Sequence, residues 1–322
     1  MAPKATAWSL AAQHDTVTAP GIPNDYALST FCFGARLASI QDQVFAAVGM
    51  GFRKLELGLS DSPPSMDGLD EARSETGTEL VSLVAGCRDS ISRDQPALRL
   101  ASLDEDGRQR AISAVRRHAR LSSTWGCRRL VVRGSQVEDP VLTAEARALE
   151  AEALLNGVSA DLREKVGQFV ERVQNHGQHQ LEQLCRSLHE LMGEFPHLQF
   201  SIEPGRYIDD LLGFNAMGWV LDALKGKNLG YWHDVGRIHL RERQGLPKQA
   251  AWLERYGARM VGIHLQDAAA HETAMPLGLG EVDFKLIKEY LPAHAERVLE
   301  LHHRHGRAEI LASVKFLLAA GI

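Results

Sequence analysis

The stretch FSIEPG (200–205) runs through alternating apolar positions and stops on Glu203, and three later stretches repeat the pattern. They are YWHDVG (231–236), stopping on Asp234, VGIHLQD (261–267), carrying His264, and VLELHH (298–303), carrying Glu300. The intervals between these side chains are 31, 30 and 36 residues, about one strand–helix–strand unit each. Such spacing places four metal-capable groups at the same end of four successive parallel strands.

Working outward, runs rich in Val, Ile, Leu and Phe occur near 26–34, 54–59, 79–85, 129–134, 198–203, 229–235, 260–266 and 297–302. Between them lie segments of helical period, including Ile40 to Val48, Arg108 to Leu121, Leu162 to Leu191 and Ile310 to Leu318. Eight strands alternating with helices predict an α/β fold, a single-domain (β/α)8 TIM barrel. An open doubly wound sheet is disfavoured, because no GxGxxG and no GxxxxGK[ST] follows any strand. Residues 1–25 read as an N-terminal arm, and 26–322 as the barrel. The acidic, alanine-rich stretch near 136–160 reads as a helical insertion over the catalytic face, serving as a lid or a subunit contact. A homodimer through that face is compatible with the sequence.

Composition narrows the function. With 36 Lys and Arg against 41 Asp and Glu, the net charge is −5, which argues against a nucleic-acid or anionic-membrane partner and for a small polar ligand. Cys32, Cys87, Cys127 and Cys185 form no CxxC pair, so neither a structural zinc site nor a disulfide scaffold is expected, and a reducing cytoplasm is the default location. The apolar stretch from Ala5 to Ala12 is too short for a signal peptide, and no uncharged run reaches the roughly 18 residues of a membrane span.

Strand ends at the C-terminal mouth of a barrel carry its chemistry. Three carboxylates and an imidazole cannot crowd into a dry mouth without a compensating cation, since repulsion and desolvation would protonate some of them. One divalent metal held by Glu203, Asp234, His264 and Glu300 resolves the conflict. Oxygen-rich ligation with one nitrogen and no sulfur favours Mn2+, with Mg2+, Co2+ or Zn2+ as substitutes.

On the motifs IEPG, HDVGR, GIHLQD, PLGLGEVDF and LELH, together with GFRKLELGL at the second strand, the chain resembles the xylose isomerase-like TIM barrel superfamily. The closer resemblance is to its sugar phosphate isomerase/epimerase branch, which includes ketose 3-epimerases. It implies that Glu203, Asp234, His264 and Glu300 bind one metal, that Glu203 and Glu300 are the catalytic bases, and that a carbohydrate is the substrate. The implied reaction is isomerisation or epimerisation by proton transfer through a metal-stabilised enediolate.

Where the family commonly has a histidine three residues after the aspartate ligand, this chain has Arg237. A guanidinium suits a carboxylate or phosphate, so Arg237 is expected to select a sugar acid or sugar phosphate, to mark lost activity, or to form a surface ion pair. Arg206, Asp209 and His302 are further substrate-binding candidates. Asp267 is expected to orient a ligand or loop, His233 to pack outside the barrel and His303 to face the helices. Glu56 fits equally a pocket position or a buried brace. Two alternatives remain: a non-catalytic or differently reacting metal and ligand barrel, and an abasic-site endonuclease-like hydrolase. The second expects additional histidine ligands where the sequence has AGCRD (85–89), RGSQ (133–136) and Arg237.

Overall fold

The eight expected strands form a closed parallel barrel in a computed structural model that describes residues 21–59, 64–86, 99–134 and 136–322. They are β1 (Tyr26–Ser29), β2 (Lys54–Leu57), β3 (Glu79–Ala85), β4 (Arg129–Arg133), β5 (Gln199–Glu203), β6 (Leu229–Asp234), β7 (Met260–Leu265) and β10 (Glu296–Leu299). Two further strands, β8 (Asp267–Ala269) and β9 (Glu272–Met275), make an antiparallel hairpin that the sequence reading did not foresee. The ring order is β1-β10-β7-β6-β5-β4-β3-β2, so β4 and β10 face each other across the mouth.

Charge and bulk alternate in layers inside the ring. At the bottom, the first residues of β2, β4 and β10 meet: Lys54 Nζ lies 3.3 Å and Arg129 Nη1 3.1 Å from the two oxygens of Glu296. Above them, Ala27, Val81, Val84, Val131, Trp232 and Val298 form a separate apolar cluster that plugs the lumen. Trp232 is wholly buried, and its ring occupies the space that a side chain at 262 would need. Gly262 is therefore the residue that admits the indole. The top layer holds the candidate site. On the outer faces of the strands a much larger apolar core joins barrel to helices, including Leu28, Leu55, Leu80, Leu130, Phe200 and Ile263.

Helix boundaries follow local chemistry. Helix α1 (Ile40–Met50) starts where Ser39 Oγ accepts the Gln41 N–H and stops at Gly51, whose φ of 107° only glycine adopts readily. The acidic insertion is α4 (Pro140–Asn156), capped by Asp139 with proline at its first position. Helix α8 (Val235–Arg243) is capped by Asp234 itself, whose Oδ1 accepts the Arg237 N–H at 2.8 Å. The last helix, α11, spans Arg307–Ala320.

Three expectations need correction. The first strand does not run to residue 34; it stops at Ser29, whose side chain accepts the Phe31 N–H and starts two 3-10 turns. The segment Leu162 to Leu191 is two helices, α5 (Ala160–His176) and α6 (Gln178–Glu194), separated at Gly177, where Leu211 packs so closely that a Cβ would meet it. His303 does not face the helices: its ring lies over Gly34 in the turns after β1 and beside His302, with ring centroids 4.2 Å apart. Residues 1–20 of the N-terminal arm lie outside the described residues. No described helix is long and apolar enough to cross a membrane.

Candidate metal centre

Lumen-facing parity brings Glu203, Asp234 and His264 to the top layer as the upper inward residues of β5, β6 and β7. Glu300 lies one residue beyond β10, but its N–H still donates to Leu265 O at 3.1 Å, extending the ladder far enough to hold it in the layer. All four side chains are buried.

The imidazole organises the cluster. His264 Nδ1 faces one oxygen from each carboxylate, Glu203 Oε1 at 3.4 Å, Asp234 Oδ2 at 3.6 Å and Glu300 Oε2 at 3.4 Å. Two atoms each about 2.1 Å from one ion lie roughly 3.0–3.4 Å apart when adjacent. Among the described residues, the side chains close enough together to share an ion form two sets that meet at His264: Glu203, Asp234 and His264, and Glu56, His264 and Glu300. His264 Nε2 points the other way, 3.1 Å from both oxygens of Glu56. Glu56 in turn accepts from Ser82 Oγ at 2.8 Å. Glu56 therefore reaches the pocket and also braces His264, and with His264 and Glu300 it forms a metal-capable set of its own. Its carboxylate is placed to accept a proton from Nε2, the contact that orients a histidine whose Nδ1 would bind a metal.

The outer oxygens are held by other groups. Arg133, the last residue of β4, donates from Nε to Glu203 Oε2 at 2.8 Å and from Nη2 across the mouth to Glu300 Oε1 at 3.4 Å. Gln266 Nε2 donates to Asp234 Oδ1 at 3.1 Å and Glu300 Oε2 at 3.3 Å, while its carbonyl accepts the Ala274 N–H of the hairpin at 2.6 Å. Neither residue was among the expected site residues. Both could have been found by counting in twos along their strands, since Arg133 pairs in register with Glu203 and Gln266 shares the parity of His264.

Arg237 is in the cluster and not on the surface. Its Nε lies 3.2 Å from Glu203 Oε1 and 3.3 Å from Asp234 Oδ2, and Nη1 reaches Pro204 O at 3.3 Å. The other candidates occupy the surrounding loops. Arg206 follows β5 with its guanidinium over the Tyr207 ring, 5.7 Å from the centroid. Asp209 is buried in the same loop, where its carbonyl accepts the Val137 N–H at 3.0 Å. His302 stands edge-on to Phe31, with centroids 6.0 Å apart, at the rim between β10 and β1.

Asp267 behaves as a loop brace. It accepts from the N–H groups of Ala268 at 2.9 Å, Gly278 at 2.8 Å and Val282 at 3.2 Å, which folds PLGLGEV tightly after the hairpin. Gly278, at φ 85°, takes the turn a side chain would resist. His233 packs outside the barrel, where Tyr231 Oη meets its Nδ1 at 2.8 Å and burial pushes it down to about 3.

Electrostatics split the two glutamates. Burial alone would raise Glu203, but Arg133 and Arg237 outweigh it and hold the carboxyl well below its ordinary value. Burial pushes Glu300 up to about 6, against the opposing pull of His264 and Arg133. Burial would lower His264, yet Glu300 and Glu56 hold it well above an ordinary histidine. The cluster has more acid than its own cations neutralise, which is the condition a bound divalent ion relieves.

Known structures share this architecture at low sequence identity. A D-psicose 3-epimerase with D-tagatose from Clostridium cellulolyticum H10 superposes with a TM-score of 0.64 at 12% identity, covering 92% of this chain and 98% of that one. A D-tagatose 3-epimerase-like protein gives 0.61 at 14% identity, covering 92% and 96%. The IOLI protein with a bound zinc atom gives 0.58 at 12% identity, covering 91% and 96%. At such identities the likeness speaks for the fold. No curated protein sequence matches the chain. The profile of one family does match, over residues 44–319 and thus from within α1 to the last helix. The chain belongs to the xylose isomerase-like TIM barrel family.

Proposed function

We propose that the protein is a divalent-metal-dependent isomerase or epimerase of a sugar or sugar derivative, with Glu203, Asp234, His264 and Glu300 holding the metal. The observation that carries this reading is the convergence of one oxygen from each of three carboxylates on His264 Nδ1 at 3.4–3.6 Å. Mn2+ suits this oxygen-rich set best. When bound, the ion would supply positive charge to stabilise an oxyanion on the substrate. The chain's own residues do the rest. Glu203 and Glu300, which reach the site from β5 and from just beyond β10, take and return the proton next to the substrate carbonyl. Sugar epimerases among the similar folds support the substrate class.

A second reading rests on Arg133. Its guanidinium occupies Glu203 Oε2 and Glu300 Oε1, the two oxygens turned away from His264 and so the ones free to move protons. A barrel that binds a metal and a ligand without turnover would keep that clasp closed. The nuclease reading has less support, because the metal-capable groups among the described residues form two overlapping sets that share His264, with no separate second or third centre. Cys87, Arg88 and Asp89, where one further ligand was sought, lie outside the described residues.

The test is a screen of ketoses and keto acids in deuterated water with Mn2+. Deuterium entering a carbon beside the carbonyl is the expected result; no uptake with any compound sinks the proton-transfer reading. Replacing Arg133 by Ala separates the two readings. Slower exchange makes Arg133 a positioning residue of the enzyme, whereas faster exchange means that the clasp suppresses turnover.

A further inference from the structure

A groove of about 650 Å3 lies between α4, the start of α5, the end of α8 and the tip of the β8–β9 hairpin. That volume falls within the range of small-molecule sites. Its walls carry four cationic side chains, Arg163, Arg206, Arg243 and Lys248, against two carboxylates, Glu150 and Glu242. This local excess stands out in a chain whose net charge is −5. Both acids already accept from the backbone, Glu150 from Ile208 N at 3.0 Å and Glu242 from Gln249 N at 3.1 Å. Among the described residues, Arg163, Arg206 and Lys248 meet no carboxylate within ion-pair distance, unlike Arg108, Arg116, Arg172 and Arg259 elsewhere on the surface. The remaining wall is partly apolar, with Leu154, Val158 and Leu240.

The groove adjoins the metal centre through one short loop. Glu203 faces the centre, and Arg206, three residues later, faces the groove, so their Cα atoms are at most about 11 Å apart. That loop is held in place from beneath by buried Arg241, whose Nη1 donates to Tyr207 O and to Gly205 O. No quartet residue lines the groove, so the two are neighbours joined by this loop.

We propose that the groove is an oxyanion subsite for the distal end of the substrate, taking a phosphate or carboxylate through Arg206, Arg163 and Lys248 with the organic body against Leu154 and Leu240. Its part in turnover rests on the reading of the quartet as the reactive centre, whereas anion binding itself does not. The insertion α4 then has a ligand-binding purpose, since it supplies one whole wall.

Calorimetric titration of the full chain with inorganic phosphate at low ionic strength tests this. The double variant Arg206→Gln/Lys248→Gln is expected to bind phosphate at least tenfold more weakly, and Arg172→Gln, an ion-paired arginine outside the groove, to bind it like the wild type. Absence of saturable binding, or equal binding by the double variant, overturns the subsite. Glucose 6-phosphate and glucuronate as further titrants assign the oxyanion as phosphate or carboxylate; preference for neither over glucose also overturns it. Mn2+ titration of the same proteins separates the two ideas: phosphate binding without Mn2+ binding defeats the metal centre and leaves the groove.

Discussion

The two ends of the barrel lumen are both charged, yet their charges are balanced differently. At the bottom, the Glu296 carboxylate lies between Lys54 and Arg129, so both of its oxygens already meet a cation of the chain. At the top, four buried carboxylates surround one buried imidazole and two guanidiniums, of which Arg237 is half-buried. The same strands serve both ends, as Lys54 and Glu56, Arg129 and Arg133, and Glu296 and Glu300 show. What differs is the sign of the excess. An excess of buried acid is relieved either by protonation or by an added cation, whereas the carboxylate of the lower layer already has its partners.

Replacing one glutamate at each end gives the sharpest contrast. Glu203→Gln is expected to slow solvent exchange of the substrate proton by roughly 10^2- to 10^4-fold, the usual worth of a general base. Glu296→Gln should leave that exchange within a few-fold while lowering stability by about 1–3 kcal/mol, as for a lost charged hydrogen bond. Equal losses of exchange at the two positions would break the comparison. Next in size is Glu56→Gln, expected to weaken Mn2+ binding by about 10- to 100-fold, because an amide holds the His264 tautomer less firmly. Unchanged affinity by calorimetry would reduce Glu56 to packing. The smallest effect concerns the apolar plug between the ends. Gly262→Ala drives a methyl into the Trp232 ring and should cost about 1–3 kcal/mol in denaturant unfolding. A neutral result would mean that Trp232 moves aside easily and that the layers are less separate than drawn.

Most of the barrel was legible because its signals are local. Period-two runs mark each strand, and residues ending those runs, such as Glu203 and Asp234, inherit their position from the strand. The parts that escaped depend on distant partners. The break at Gly177 is set by Leu211, which packs against it from another element. The hairpin β8–β9 is short and anchored through Gln266, with Ala270 and Ala274 at positive φ that an alanine does not advertise. Arg133 gave no sign of its part within RGSQ because one of its partners, Glu300, is 167 positions away and on the opposite wall. Glu56 could be placed at the mouth by parity, but its role as a brace became readable only with His264 beside it.

Arg133 has a mechanical consequence as well as an electrostatic one. With β4 and β10 on opposite sides of the ring, its bond to Glu300 crosses the mouth while its bond to Glu203 stays on the neighbouring strand. Widening the ring along that line stretches the link to Glu300, and any molecule seated between the two glutamates must cut it. One side chain thus links opposite walls of the rim at the place where the two glutamates face each other.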